Sequence, residues 1–291
     1  MPTTSPIGNT SSNNPLVDDV PIVWYSGSNG VCGPTDDLVH GVLAGNVARV
    51  RHLSILGFTI PAVDSWVVYE ACLQSVKMMH ALSMNPRSKL NRVMPWQMGD
   101  RNIHFLLRTP SGRFLGSKMA AIAFLIQNGA HPLERDRLGN TALHILAEVP
   151  TQSDADGFGI MKVLLDKEDN GFISKGMREA CISNIDSRNI PLEASEGSTA
   201  LMNAVMHGHT ECVRVLLEQG ANPHLLGPLY QSPLHYAVRR DFLDVVKVLL
   251  QHGAVVTSEV EEEVRSLEIA QILADYRDRQ MAWDSSETSE E

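Results

Sequence analysis

The chain has 291 residues, 43% apolar and 20% charged, with 21 Gly and 15 Pro, which excludes collagen-like and wholly disordered classes. Twenty-four Lys and Arg against 34 Asp and Glu give a formal charge of −10, so free DNA is excluded as a partner unless a basic patch hides inside the acidic total. No stretch approaches the roughly 18 apolar residues a membrane-spanning helix needs, and Cys32, Cys72, Cys181 and Cys212 form no CxxC, which points to a reducing compartment.

Residues 1–20 are rich in Ser, Thr and Asn and lack the charged start and apolar core of a secretory signal. They are expected to be disordered, with 21–35 a loosely packed lead-in. A first unit is expected near 36–65, carried by Leu38, Gly45-Asn46, Val50, Leu53 and Gly57. A degenerate unit follows near 66–98, with an amphipathic helix through Val68, Ala71, Cys72 and Met79. The unit near 99–134 opens at Gly99 and closes at Gly129-Ala130, with extra residues at Pro110–Gly116. The unit near 135–193 carries two insertions, Pro150–Phe158 between its helices and about 167–192 after them, the second with room for a helix around Gly176–Ile182.

The last two units, near 194–226 and 227–257, are the cleanest. Gly197-Ser198-Thr199-Ala200-Leu201 aligns with Tyr230-Gln231-Ser232-Pro233-Leu234 at an offset of 33 residues. The same offset carries Ala204 to Ala237, Val213 to Val246 and Gly220-Ala221 to Gly253-Ala254. Thr199 or Ser232 offers a hydroxyl to free N–H groups at a helix start, and Pro233 suits the first turn. Gly208 permits the left-handed end of that helix, and Thr210 is expected to cap a second helix bearing Val213, Leu216 and Leu217. Two short antiparallel helices cannot bury their faces alone, so the units must stack. Beyond Ala254, residues 258–283 are expected to form one C-terminal capping helix through Val260, Val264, Leu267, Ile272, Leu273 and Tyr276, followed by an acidic tail over 284–291.

These motifs resemble the ankyrin-repeat family. Its T-P-L-H-x-A signature stands here as Thr141-Ala142-Leu143-His144-Ile145-Leu146, Thr199-Ala200-Leu201-Met202-Asn203-Ala204 and Ser232-Pro233-Leu234-His235-Tyr236-Ala237. The resemblance implies an all-α helix-turn-helix solenoid of about six units, three of them clear, joined by short hairpin turns. It also implies a non-catalytic function in which a concave groove of first helices and turn tips holds a protein. Carried over by register, the groove positions are Met98, Asp100, Arg108, Arg137, Asn140, Glu148, Met206, His207, Gln231, Arg239 and Arg240.

Catalytic and metal motifs are weak. His207-Gly208-His209 lacks the three or four convergent ligands of a metal site, and His209 suits the turn of the repeat. His104, His144 and His235 recur at one repeat position, which argues for a shared hydrogen-bonding role between units. Asp154-Ala155-Asp156-Gly157 begins like a calcium loop but has Val163 and Leu164 where its closing acid belongs. No phosphate-binding loop, nucleophile elbow or zinc-protease motif occurs, and no cofactor is expected.

Seven basic residues (Arg87, Lys89, Arg92, Arg101, Arg108, Arg113 and Lys118) face one acid, Asp100, between 87 and 118. Three readings stand for this stretch: a receptor for an acidic or phosphorylated segment or a nucleic-acid backbone, a solvated face, or a partner for the chain's own acidic tail. Lys and Arg are absent before Arg49 and no heptad run occurs, which excludes direct sequence-specific DNA binding through a basic zipper.

The expected function is that of a regulatory adaptor or scaffold in cytoplasm or nucleus, in its specific form a transcriptional coregulator working through a DNA-bound partner. The alternatives are an enzyme or accessory component of a metabolic pathway with a site in the 150–195 insertion, and a substrate adaptor of a ubiquitin ligase.

Overall fold

The computed structural model describes residues 26–27, 30–31, 33–61, 65–88, 90, 101–148, 155–166, 173–190 and 197–287. Two-residue strands β1 (Ser26–Gly27) and β2 (Gly30–Val31) pair antiparallel ahead of the first helix, and the described residues after them form helices, turns and loops with one isolated bridge between Arg188 and Thr199. Six helix pairs follow: α1 (Pro34–Leu43) with α2 (Val47–Ile55), α3 (Ser65–Gln74) with α4 (Val76–Ser83), α5 (Asn102–Arg108) with α6 (Lys118–Gln127), α7 (Ala142–Glu148) with α8 (Ala155–Leu165), α10 (Ala200–Met206) with α11 (Thr210–Glu218), and α12 (Pro233–Arg239) with α13 (Leu243–Gln251). An additional helix, α9 (Lys175–Ser183), packs on α8 inside the second insertion, and Ser174 caps it by accepting the Met177 N–H at 3.3 Å.

The pairs stack in two rows. First helices contact first helices from α1 through α3, α5, α7 and α10 to α12, and second helices form the parallel series α2, α4, α6, α8, α11, α13. The first row buries Ala142, Ala147, Ala200, Ala204 and Ala237 beside larger side chains such as Leu143, Leu201 and Leu234. The second row buries Leu125, Leu164, Leu216 and Leu249.

Helix ends follow the expected chemistry with one exception. Thr199 accepts the Met202 N–H and Ser232 accepts the His235 N–H, each at 3.2 Å. Gly208 is left-handed with φ 71°, as a chain reversal after α10 requires. Thr210 does not cap α11; it is the first helical residue, and His209 occupies the cap position.

The end of the stack corrects a further expectation. In place of a single helix over 258–283 there are two, α14 (Ser258–Glu262) and α15 (Leu267–Glu287). α14 lies on α12 in the first row and α15 on α13 in the second, so the cap reproduces a helix pair and the chain must break between them. Val260, Ile269 and Leu273 seal the apolar face, while the opposite side is Glu-rich. α15 also runs to Glu287, into the segment expected as an acidic tail. The first insertion is shorter than expected, since α8 already begins at Ala155 and includes Phe158.

Candidate interaction groove

The turns that precede the first helices are organised around buried polar residues. Asp136 is 5% exposed; its Oδ1 accepts the N–H groups of Leu138 and Asn140, both at 2.8 Å, and Arg108 from the preceding unit donates to Oδ2. Burial pushes the Asp136 pKa up, but the Arg108 guanidinium and the two backbone N–H groups outweigh it and hold the carboxyl below its ordinary value. Asn189 repeats the arrangement one unit on: its Oδ1 accepts the Ser198 N–H at 2.7 Å and its Nδ2 donates to Asn140 Oδ1 at 2.9 Å. Asn140 is 2% exposed and belongs to this frame, so it is not an exposed contact position as the register suggested.

Two arginines tie successive turns together. Arg135 donates to the carbonyls of Gly139 (2.7 Å) and Arg188 (2.6 Å). Arg188 in turn donates to Gly197 (2.9 Å) and Leu226 (2.7 Å). Leu226 stands where the next arginine of this ladder would be. Its turn ends in Leu229 and Tyr230, both left-handed at φ 62° and 56° and both about two-thirds exposed (67% and 65%).

The repeated histidines play the inter-unit role expected of them in two of three cases. His104 Nδ1 accepts the Arg101 N–H, which leaves Nε2–H to donate to the Glu134 carbonyl at 3.2 Å. His144 Nδ1 accepts from the Thr141 hydroxyl, and Nε2–H donates to the Ser198 carbonyl at 3.1 Å. His235 departs from the pattern: its Nε2 is buried without a hydrogen bond and lies 3.6 Å from Glu263 Oε1 of the cap. At the turn after α10, His209 Nδ1–H donates 2.8 Å to the Ala147 carbonyl of the preceding unit and His207 Nδ1–H donates 2.8 Å to Asn203. Among the described residues no group of three or more His, Cys, Asp or Glu is arranged to hold a metal ion. Burial pushes the Cys72 and Cys212 thiols up to about 12 and Cys181 up to about 11, which leaves them un-ionised at neutral pH.

The structure gathers only some of the expected groove positions. Arg108, Arg137 and Glu148 line one cleft of about 460 Å³, together with Tyr69, Phe105 and Arg113. Glu148 Oε1 accepts Asn203 Nδ2 at 2.9 Å, and burial pushes its pKa up against the opposing effect of Arg108. Met206, His207 and Arg240 sit at the ends of α10 and α12, and Arg239 lies over the Tyr236 ring at 5.0 Å. Gln231 is half-buried in the turn before α12. Met98 and Asp100 lie outside the described residues.

The basic stretch shrinks on folding. Lys118 is fully buried, its Nζ donating to the Leu107 carbonyl at 3.0 Å, so it is no part of a charged surface. Arg101 pairs with Glu134 at 3.4 Å and Arg108 with Asp136. Arg87 and Arg113 are exposed, and Lys89 and Arg92 are outside the described residues. Tyr69, Phe105 and Asp136 complete the cleft and its frame and were not singled out from sequence. The Asp136-Arg137-Leu138-Gly139-Asn140-Thr141 run was the available signal for Asp136.

With helix pairs, turns and inter-unit histidines in place, residues 157–260 match the family model for ankyrin repeats, in three copies. Residues 157–260 are ankyrin repeats. The chain is 33% identical over 140 residues to the mouse B-cell lymphoma 3 protein homolog, covering 48% of this chain and 27% of that protein. A putative ankyrin repeat protein of fowlpox virus (strain NVSL) is 30% identical over 154 residues, covering 47% and 26%. Mouse protein phosphatase 1 regulatory subunit 27 is 33% identical over 72 residues, covering 24% and 47%. The chain thus spans about a quarter of the first two relatives and about half of the third. Ankyrin repeats are generally non-catalytic protein-interaction modules. No helix among the described residues is long and apolar enough to cross a membrane.

Proposed function

We propose that this protein is a regulatory adaptor that holds a partner protein against its first-helix row and turn tips. One observation carries the reading: the first-helix row sets Arg108 and Glu148 at a cleft and Met206, His207, Arg239 and Arg240 at the ends of α10 and α12, above a frame of buried polar residues. Arginine, methionine and aromatic groups over a rigid frame are the composition of an interface with a few strong anchors. The match to a phosphatase regulatory subunit supports a regulatory role. The specific form proposed is a transcriptional coregulator that reaches DNA through a bound partner, in cytoplasm and nucleus.

Charge reversal tests it. R239E/R240E is expected to reduce affinity capture of partners, read by mass spectrometry, while thermal unfolding changes little because neither residue is in the core. Capture that persists undiminished through this variant and through substitution of Met206 and His207 contradicts a groove on this face.

A further inference from the structure

We infer that the cleft where α12 meets the cap is a receptor for a basic side chain on a partner-protein segment. Its residues are not those assigned to the adaptor groove, so it goes beyond that reading and has its own test. The cleft has a volume of about 440 Å³ and is lined by His235, Glu259, Glu262, Glu263 and Arg265. α14 supplies Glu259 and Glu262, and Glu263 follows at its end. Residues three and four apart share one side of a helix, so these three carboxylates project together while Val260 is buried in the core. Glu261 is held apart from them by Arg277 of α15, at 3.1 Å.

The α12 wall of the cleft holds a polar atom without a partner. His235 is 8% exposed, and its Nε2 is buried with no hydrogen bond. In His104 and His144 the same atom donates to a carbonyl of the following unit, at 3.2 and 3.1 Å. At His235 the cap stands in that place and sets Glu263 Oε1 before the ring at 3.6 Å, beyond hydrogen-bond range. Leaving a buried polar atom unpaired costs stability, and one charged donor beside both atoms removes that cost. With its proton on Nδ1, the imidazole accepts at Nε2 while Glu263 accepts from the same ammonium or guanidinium group. Three carboxylates stand against Arg265 alone, so the cleft is negative whichever charge His235 carries, and it selects a cation. No group of three or more His, Cys, Asp or Glu among the described residues is arranged to hold a metal ion. A lysine or arginine side chain fits a cleft of this size and brings several N–H donors to separated acceptors. The site belongs to the cap, because only there does the repeated histidine face carboxylates in place of a carbonyl.

The test uses the full chain and two fluorescein-labelled Gly/Ser peptides, one carrying arginines and one carrying uncharged citrulline in their place, followed by fluorescence anisotropy. The Arg peptide is expected to bind, the citrulline peptide to bind at least about tenfold more weakly, and E259Q/E262Q to weaken Arg-peptide binding by about tenfold. E268Q/D275N removes the same charge from exposed positions of α15 outside the cleft and is expected to change binding by less than about twofold. That contrast separates a site from general attraction to an acidic chain. All four substituted residues are exposed, and unchanged thermal unfolding shows that lost binding is local. In NMR spectra of the histidine-labelled chain, the His235 ring signal, assigned by its loss in H235Q, is expected to shift with the Arg peptide and not with the citrulline peptide. No binding of the Arg peptide, equal binding of the two peptides, equal losses in the two acidic variants, or a His235 signal that stays in place overturns the site. Any of these results beside capture that is sensitive to R239E/R240E removes the cap site and keeps the adaptor reading. Arg-peptide binding as expected beside capture indifferent to R239E/R240E keeps the cap site and removes the Arg239–Arg240 end of the groove.

Discussion

His144 is neutral in the folded chain. Burial pushes its pKa down from 6.5 to about 4, Arg135 adds to the depression, and the hydrogen bond to Ser198 opposes it. An unfolded histidine takes up a proton below about pH 6.5, so the unfolded state gains protons first on acidification. The contribution of His144 is therefore complete above that pH and is lost progressively as pH falls through about 4. Urea unfolding is expected to give a stability about 2 kcal/mol lower at pH 5 than at pH 7.5 from this group. H144Q is expected to flatten that part of the slope; an unchanged slope contradicts a buried neutral imidazole. Asp136 makes a second residue-scale prediction. D136A leaves the backbone N–H groups of Leu138 and Asn140 without their acceptor, and equilibrium unfolding is expected to register a loss of about 2 to 4 kcal/mol.

Residues of this kind differ in how legible they are from sequence. Recurrence alone identified the bridging role of His104 and His144, because a side chain repeated at one register position meets the same neighbour in each unit. It misled at His235, whose following neighbour is a cap and not a regular unit, so the carbonyl it would use is replaced by Glu263. Lys118 was read as surface charge because lysine is rarely buried. Only the packed structure shows that its stem threads the core to reach the carbonyl end of α5.

At the scale of elements, the turns matter as much as the helices. Gly129 and Gly139 are both left-handed, at φ 94° and 74°, yet their surroundings differ. A Cβ on Gly129 meets nothing within 4 Å, whereas one on Gly139 falls 2.5 Å from the backbone nitrogen of Ile190. G129A is expected to cost about 1 kcal/mol, the left-handed penalty alone. G139A should cost clearly more, because a backbone atom of the next turn cannot swing aside. Melting temperatures of the two variants check the order, and equal losses contradict the close approach of successive turns. Helix α9 was readable in the sequence as a helix within the insertion, close to its observed bounds. The division of the cap was not. The apolar spacing of Val260, Val264, Leu267, Ile272 and Leu273 suits one continuous helix, and only the two-row stack requires α14 and α15 to occupy separate rows.

For the whole molecule, the two-row stack sets what the chain presents to others. First helices stack on first helices and second on second, and the Arg135–Arg188 ladder ties successive turns together. The formal charge of −10 is unevenly placed: residues 259–291 hold 11 acids and 3 basic residues, so the body of the solenoid is close to neutral. Stacking and helix pairing were legible because they follow from a 33-residue period. The Tyr69–Arg113–Arg137 cleft was not, since its walls come from α3, an irregular turn and the next unit, and no single period contains them.

The central claim is that a partner occupies the first-row face. Hydroxyl-radical footprinting of the chain with and without its captured partner tests it most directly. The account predicts reduced oxidation at Met206, His207, Tyr230 and Tyr69 in the complex. Protection confined to second-row side chains such as Met119 and Phe158, with the first-row face as reactive as in the free chain, would contradict it.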